Sequence, residues 1–380
     1  MDVAMDKDQK KMLGLGLVAA VMFLFMRIDP SDVRAAGRWF KQGHWLAPTL
    51  VVVTVISSGF VGVKGYRLKK QRQAQAEITE RIATGPTVLL LPRSDWKPVD
   101  PLKVNLWGRL ADALPHDEQV SLEVFGNGLE IAFALHASEN GLRAALTQIK
   151  AEWPGIQRRT VSDDPTHLPE GWAIYWCECV PAVWDRPVTS ITPDPLRAAL
   201  VELNAVMGRG RGMLQIIAKN DFGTKRKVGQ KAVQARGEGQ KMPHAGVKAL
   251  RTKEARALES RFDRSFLQVT IRAVGMADTP QRAQGIARGL ARAICASYGP
   301  QNPLKVRKEG QNPLPIQQRT FGQKQAWADH ELATLGHLVG SDMLTVAPRL
   351  KVASAKSLPV SPVMCISPGD AIARFEEHVS

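Results

Sequence analysis

Two long uncharged runs near the start of the chain dominate its hydrophobic pattern. The first run, residues 12–26, reads MLGLGLVAAVMFLFM, and the second covers residues 46–63. A helix needs about 20 apolar residues to cross a bilayer core, and the second run has nearly this length. The pattern predicts a two-helix transmembrane hairpin with spans at about 12–28 and 46–63. A cleaved signal peptide for the first run and a buried helical hairpin in a soluble protein are the alternatives.

Basic residues on both sides of these runs predict their orientation. Three lysines precede the first run, and five Lys and Arg lie within residues 64–72 after the second. Because positive charge concentrates on the cytoplasmic side, both ends of the hairpin are predicted to face the cytoplasm. Residues 1–82 are thus assigned to a transmembrane hairpin and a basic juxtamembrane helix. The predicted location is the cytoplasmic membrane, with the bulk of the chain in the cytoplasm.

Strand-like and helix-like patterns alternate from residue 83 onward. Residues 119–125 alternate apolar and polar positions as a strand does, and Gly126-Asn127-Gly128 then predicts a β-hairpin turn. The predicted order over residues 83–168 is β-α-β-β-α-β, and the same order recurs over residues 169–310. The predicted fold class is α+β, a transmembrane hairpin followed by two ferredoxin-like (split βαβ) modules. Each module is expected to have its own antiparallel sheet, and residues 311–380 form a C-terminal extension.

Charge adds a candidate binding segment to this picture. The net charge is +15, and residues 219–264 contain thirteen Lys and Arg against five Asp and Glu, a net +8. The insertion, residues 220–264, replaces a hairpin turn of the second module, so it is expected to project from the sheet. Its first half is predicted to be mobile and Val247–Phe262 helical. The candidate DNA- or anion-binding residues are Lys225, Arg226, Lys227, Lys231, Arg236 and Lys241.

Two interpretations of this insertion remain open. A basic arm that neutralises several phosphates binds nucleic acid with a strong salt dependence. The alternative is a solvated, flexible loop without a ligand. Phe222 and Phe262 are the only aromatic residues of the insertion, which provides little material for base stacking.

The motifs of several enzyme classes are missing from the sequence. No Gly-Lys dipeptide occurs, which excludes a P-loop, and neither G-x-S-x-G nor H-E-x-x-H is found. The four cysteines include Cys177 and Cys179 in a C-x-C pair but no zinc-type C-x-x-C, so buried, reduced thiols are predicted. We therefore predict a protein that is not an enzyme and has no metal site or cofactor. An enzyme with an unrecognised site is the alternative.

Residues 331–339, ELATLGHLV, resemble a known signature. The pattern E-L-x-T-L-W-H-L-P is found in conjugative, type IV secretion-like ATPases of Gram-positive, especially actinobacterial, elements. In that family it follows membrane helices and α+β modules and precedes a P-loop motor domain. The residues that carry the resemblance are Glu331, Leu332, Thr334, Leu335, His337 and Leu338.

The chain departs from this family in three respects. Gly336 and Val339 stand where the signature has Trp and Pro, and the chain ends at Ser380, where the motor domain would begin. ATP hydrolysis is therefore not carried over. The alternative for this segment is an ordinary amphipathic helix, whose core stripe consists of the leucines at 332, 335 and 338.

The resemblance implies a membrane-anchored, non-catalytic component of a conjugative DNA-transfer machine. It would act as a cytoplasmic docking platform with nucleic-acid contact. The implied partners are the membrane, proteins of a secretion complex including a separate motor ATPase, DNA, and further copies of the chain in a homo-oligomer. The alternative is a membrane scaffold that binds protein partners and anionic lipid without nucleic-acid contact. DNA binding with a salt titration distinguishes the two hypotheses.

Overall fold

The computed structural model describes residues 80, 84–94, 96, 105–115, 118–161, 164–184, 186–191, 194–241, 244–323 and 325–353. The predicted spans at 12–28 and 46–63 lie outside these residues. In the described part, no helix is both long enough and apolar enough to cross a bilayer. For the described residues, the absence of such a helix contradicts the predicted transmembrane fold and the predicted location in the cytoplasmic membrane. Both predictions are withdrawn. The two predictions rested on apolar length, which does not by itself distinguish a lipid-facing helix from a helix buried in protein.

Nine strands and eight helices are found in the described residues. The strands are β1 (Thr87–Leu91), β2 (Gln119–Asn127), β3 (Ile131–Ala137), β4 (Gln157–Thr160), β5 (Ala173–Pro181), β6 (Gly210–Asn220), β7 (Phe266–Ala277), β8 (Leu304–Gly310) and β9 (Gln325–Ala328). The helices are α1 (Leu106–Ala113), α2 (Glu139–Glu152), α3 (Pro195–Ala205), α4 (Phe222–Lys241), α5 (Ala245–Phe262), α6 (Pro280–Ala296), α7 (Leu314–Gln317) and α8 (Asp329–Ala333). A 3₁₀ turn, Ser341–Thr345, follows α8.

One antiparallel sheet contains all nine of these strands. Its order is β4-β1-β3-β2-β6-β7-β5-β8, and β9 pairs with β7. The prediction of two ferredoxin-like modules with separate sheets is wrong, because β2 and β6 pair from Gln119–Lys219 to Asn127–Arg211. This pairing satisfies the backbone groups that each half would otherwise expose at its edge. Sequence patterning specifies a strand and its faces, but it does not specify this edge-to-edge partner.

The two faces of the sheet are covered differently. Helices α1, α2, α3 and α6 pack on one face, over a core that includes Leu122 and Ile216 of the central strands. On the opposite face, a smaller cluster includes Trp176, Met213 and Ile316, and it is covered by α7 and the segments that follow β4 and β8. The result is a mixed α/β fold in which the central strands are buried on both sides.

A buried ionic network holds the segments after β4 and β8 on the second face of the sheet. The Nε of Arg319 lies 2.8 Å from Oε1 of Glu123 on β2, and its Nη2 lies 2.8 Å from Oδ1 of Asp164. Burial opposes ionisation of Asp164, but the charge and hydrogen bonds of Arg319 lower the pKa of this carboxyl to about 2. Arg319 thereby joins the segment after β8 to the loop after β4 across the sheet.

Candidate nucleic-acid interface

Two antiparallel helices, α4 and α5, form most of the insertion between the neighbouring strands β6 and β7. The helix predicted over Val247–Phe262 is present as α5. The prediction that the first half of the insertion is mobile is wrong, because residues 222–241 form the 20-residue helix α4. We call this helical pair the basic hairpin.

A cap and an apolar seam explain why the glycine-containing first half is helical. Oδ1 of Asp221 accepts hydrogen bonds from the backbone N–H groups of Gly223 and Thr224, both at 3.1 Å, which satisfies two donors at the start of α4. Val228 on α4 packs in one buried cluster with Leu258 on α5, together with alanines from both helices. Tertiary packing of this kind, rather than intrinsic propensity, supplies most helical stability in proteins.

Charge pairs also hold the two helices together. Arg236 on α4 forms a 2.8 Å salt bridge with Glu259 on α5. Arg251 on α5 lies 2.8 Å from Glu254 of the same helix and 3.6 Å from Glu238 on α4. These pairs involve all three acidic residues of residues 222–262.

The six candidate residues all lie on α4 but face different surroundings. They are Lys225, Arg226, Lys227, Lys231, Arg236 and Lys241. Five of them are exposed, while Lys231 is half-buried with its Nζ 4.6 Å from the ring centroid of Trp184. The exposed Lys248, Lys253 and Arg256 on α5 add to the same charge, although they are not among the six predicted residues. The structure therefore shows a helical basic surface where a flexible basic arm was predicted.

An open groove lies where the start of α4 meets the end of α5. Its volume is about 690 Å³, and its lining includes Phe222, Lys225, Arg226, Val233 and Phe262. Three apolar side chains of this lining are exposed to solvent: Phe222 by 61%, Val233 by 74% and Phe262 by 44%. Sequence reasoning counted the two phenylalanines but missed that they share one groove, because 40 residues separate them and only helix pairing brings them together.

Close packing at Gly229 sets the floor of this groove. A Cβ atom at Gly229 would lie 2.7 Å from Cε2 of Phe262, so the absence of a side chain lets the aromatic ring approach the α4 backbone. The Nζ of Lys225 lies 5.6 Å from the centroid of the same ring, within the range of a cation–π contact. The groove thus combines an aromatic surface with positive charge.

The family-motif segment lies in the protein interior and not at the basic hairpin's surface. Leu332, Leu335 and Leu338 are fully buried in the main core, but the amphipathic helix expected over them is not formed, because α8 ends at Ala333. The hydroxyl of Thr334 donates to the carbonyl of Glu331 at 2.9 Å. Nε2 of His337 lies 3.2 Å from Oδ1 of the carboxylate that caps α3. These contacts indicate a structural role for the segment.

Glu331 connects the motif to the basic hairpin. Its Oε2 lies 2.9 Å from Nη2 of Arg261, at the end of α5. The same oxygen accepts the backbone N–H of Ala328, and Oε1 accepts that of Val188. The motif therefore fixes the point at which the basic hairpin leaves the sheet.

Three cysteines are described, and all are free thiols near the packing of α6 on β5. Burial raises the pKa of Cys177 to about 12. A hydrogen bond with Cys295 raises the pKa of Cys179 and lowers that of Cys295. Buried thiols with a raised pKa are poor nucleophiles. In the described residues, no group of three or more His, Cys, Asp or Glu is arranged to hold a metal ion.

Comparisons with known proteins show no family for this chain. No protein-family model matches it, and no curated protein matches it. Among solved structures, 6-hydroxy-D-nicotine oxidase from Arthrobacter nicotinovorans is 16% identical, with a TM-score of 0.30 over 58% of this chain. This chain covers 45% of that oxidase, less than half of its length. An anthrone oxidase-like protein is 11% identical, with a TM-score of 0.14 over 60% of this chain and 93% of its own.

Likenesses with such low TM-scores carry no argument about fold or activity. The predicted membrane anchor is withdrawn because the described residues contain no helix able to cross a bilayer. No family model and no curated protein supports the predicted assignment to conjugation, type IV secretion or DNA transfer, and it is withdrawn as well. The resemblance of residues 331–339 to conjugative ATPases stays a prediction. Protein partners, a separate motor ATPase and a homo-oligomer also stay predictions, as does the prediction that the chain is not an enzyme.

Proposed function

We propose that this protein is a non-catalytic docking module that binds nucleic acid through the basic hairpin. The observation that carries the proposal is the concentration of charge: residues 222–262 contain eleven Lys and Arg against three Asp and Glu, a net +8 on two paired helices. The phosphate backbone of nucleic acid dominates affinity for such a surface, because each neutralised phosphate releases condensed counterions.

The acidic residues of the basic hairpin do not neutralise its first turns. All three glutamates pair with Arg236 or Arg251. In the part of the chain that the structure describes, Arg226, Lys227 and Lys241 have no ion-pair partner.

This accumulation of like charge has an energetic consequence for α4. Lys227 and Lys231 are spaced by four residues on the same helix, and like charges at this spacing destabilise a helix by roughly 0.2–0.5 kcal/mol. A bound polyanion would remove this repulsion. Relief of this repulsion would add a small favourable contribution to the binding of a negatively charged partner.

The test is binding of the purified full chain to labelled single- and double-stranded DNA between about 50 and 200 mM salt. The test variant combines Lys225→Gln, Arg226→Gln and Lys227→Gln, three consecutive exposed positions. We expect weaker binding and, for a single strand, a salt slope smaller in magnitude by about 2, since each lost phosphate contact contributes about 0.7.

A matched control separates local contacts from net charge. The control variant combines Arg158→Gln, Arg159→Gln and Lys305→Gln, which removes the same charge from exposed positions on β4 and β8. It is expected to keep most of the affinity and the wild-type salt slope. Equal losses of DNA affinity in both variants would attribute binding to the net charge of the protein and not to the basic hairpin. Absence of binding by the wild type at about 50 mM salt would overturn the proposal.

A further inference from the structure

The groove at the base of the basic hairpin has a composition that suits one nucleotide better than a phosphate alone. Lys225 and Arg226 supply positive charge, while Phe222, Val233 and Phe262 supply exposed apolar surface. Phosphate binding requires no apolar surface, and adjacent exposed apolar side chains commonly mark a binding site. The groove has a volume of about 690 Å³ and is wide open to solvent, so a base could enter it without displacing protein segments.

We infer that this groove seats an unpaired nucleobase against Phe222 and Phe262 while Lys225 and Arg226 contact the adjoining phosphates. The inference rests on the proposed function and specifies its substrate class as single-stranded nucleic acid. Proteins that bind single strands combine a positively charged groove with aromatic side chains on which bases stack. Charge complementarity identifies the occupant, because the lining contains two cationic side chains and no acidic side chain.

The cation and the aromatic ring are already close enough to serve one nucleotide. The Nζ of Lys225 lies 5.6 Å from the centroid of the Phe262 ring. An arriving base would take the exposed face of the ring, and its phosphate would take the ammonium group. Both halves of the nucleotide would then bind side chains that the basic hairpin has already positioned.

Strand preference follows from access to the face of a base. In a duplex, neighbouring base pairs cover both faces of each base, and extruding a base costs a few kcal/mol. A single strand presents its bases at lower cost. The groove is therefore specific for single strands, while the surrounding basic surface binds phosphates of either form.

The experiment uses the full chain and oligonucleotides of one sequence, as a single strand and as a duplex, in a salt titration. The test variant is Phe222→Leu with Phe262→Leu, and each single variant is measured as well. The matched control is Leu250→Ala, which alters an α5 side chain that is 68% exposed and outside the groove lining. A single strand with 2-aminopurine, whose fluorescence falls when it stacks on an aromatic ring, reports base contact directly.

The expected results are specific to base stacking. The wild type prefers the single strand, and the double leucine variant loses about fivefold to a hundredfold in single-strand affinity, the range for one stacked base. Its duplex affinity and salt slope stay unchanged, the 2-aminopurine signal no longer falls, and Leu250→Ala behaves as the wild type. Helical content, measured by circular dichroism, is expected to stay constant in every variant.

Three outcomes overturn the inference in different ways. Salt-dependent binding that does not change when both phenylalanines are substituted would support the proposed function but exclude a base-binding site in the groove. No binding of either strand form by the wild type would remove both proposals. Self-association that depends on the two phenylalanines without nucleic acid, seen by sedimentation velocity, would assign the groove to a second copy of the chain.

Discussion

Arg261 and Glu331 form a salt bridge of 2.9 Å in which each side chain is only 1% exposed. Arg261 also donates to the carbonyl of Ala326 at 3.2 Å. Burial raises the pKa of Glu331 and outweighs the opposing effect of Arg261. The pair joins the last turn of α5 to α8, so the basic hairpin and the family-motif segment share one buried ionic contact.

Removing one member of this pair is expected to destabilise the protein strongly. Arg261→Met or Glu331→Gln should each lower the free energy of unfolding by about 3–5 kcal/mol, because the remaining charged group stays buried without its partner. The double variant should lose less than the sum of both, since neither charge remains. Urea unfolding of the wild type, the two single variants and the double variant completes a double-mutant cycle, which gives the coupling energy between Arg261 and Glu331.

An exposed pair in the same hairpin provides the control for this cycle. Arg236 and Glu259 lie 2.8 Å apart, with side chains 64% and 38% exposed. Their coupling energy should be within about 0–1 kcal/mol, as for other surface pairs. Similar coupling energies for the two pairs would contradict the structural importance of Arg261 and Glu331.

Gly336 is expected to tolerate no larger residue. The indole Nε1 of Trp107 donates to the Gly336 carbonyl at 2.6 Å, and a Cβ at Gly336 would lie 2.5 Å from that nitrogen. Gly336→Ala should lower the free energy of unfolding by about 1–3 kcal/mol through overpacking. Gly285→Ala in α6, where a Cβ meets nothing within 4 Å, should be neutral or stabilising by up to about 1 kcal/mol.

This contact also explains a departure from the family signature. The signature has Trp at the position of Gly336, yet Trp107 of α1 already occupies the neighbouring space and is fully buried. Gly336→Trp should therefore prevent correct packing of α1, visible as lost near-UV circular dichroism. A well-packed Gly336→Trp variant would show that α1 can move aside.

Asp164 is expected to make stability depend on pH in the acidic range. Its folded-state pKa is about 2, against an ordinary value of 3.8, chiefly because Arg319 outweighs the effect of burial. A lowered carboxyl pKa stabilises the fold above about pH 4, and this contribution is lost as the pH falls toward 2. The stability difference between wild type and Asp164→Asn should shrink over that window in urea titrations. A constant difference would show that the Arg319 contact does not control this carboxyl.

Filling the floor of the groove is expected to change binding more than stability. Gly229→Ala would push the Phe262 ring away from α4, and because that ring is 44% exposed it can move at small cost. Single-strand affinity should fall while the thermal midpoint changes little. Gly237→Ala in the same helix, where a Cβ meets nothing within 4 Å, should leave binding unchanged and stabilise α4 by about 0.5–1 kcal/mol. Equal binding by both variants would contradict the predicted use of the groove.

Local patterns predicted much of the described part because they depend on neighbouring residues. The alternation over 119–125 lies within β2, and β2 is connected to β3 by a short bend as predicted. The position of the turn was wrong, because Gly126 and Asn127 are still paired within the sheet and the bend falls at residues 128–130. The leucines at 332, 335 and 338 are buried as predicted, although only Leu332 lies on a helix. The same reasoning failed for the first half of the insertion, where composition was considered without the packing partner α5. The transmembrane prediction is contradicted for the described residues, which contain no helix able to cross a bilayer.

Local sequence patterns were sufficient to locate the charge, the alternating strands and the core-facing leucines, because these properties depend on neighbouring residues. Three features follow only from tertiary packing: β2 pairs with β6, a glycine-containing segment becomes α4, and Phe222 and Phe262 share a groove with Lys225. Each of these depends on residues far apart in sequence. The free energy that selects them comes from burying apolar surface and pairing backbone groups between distant segments.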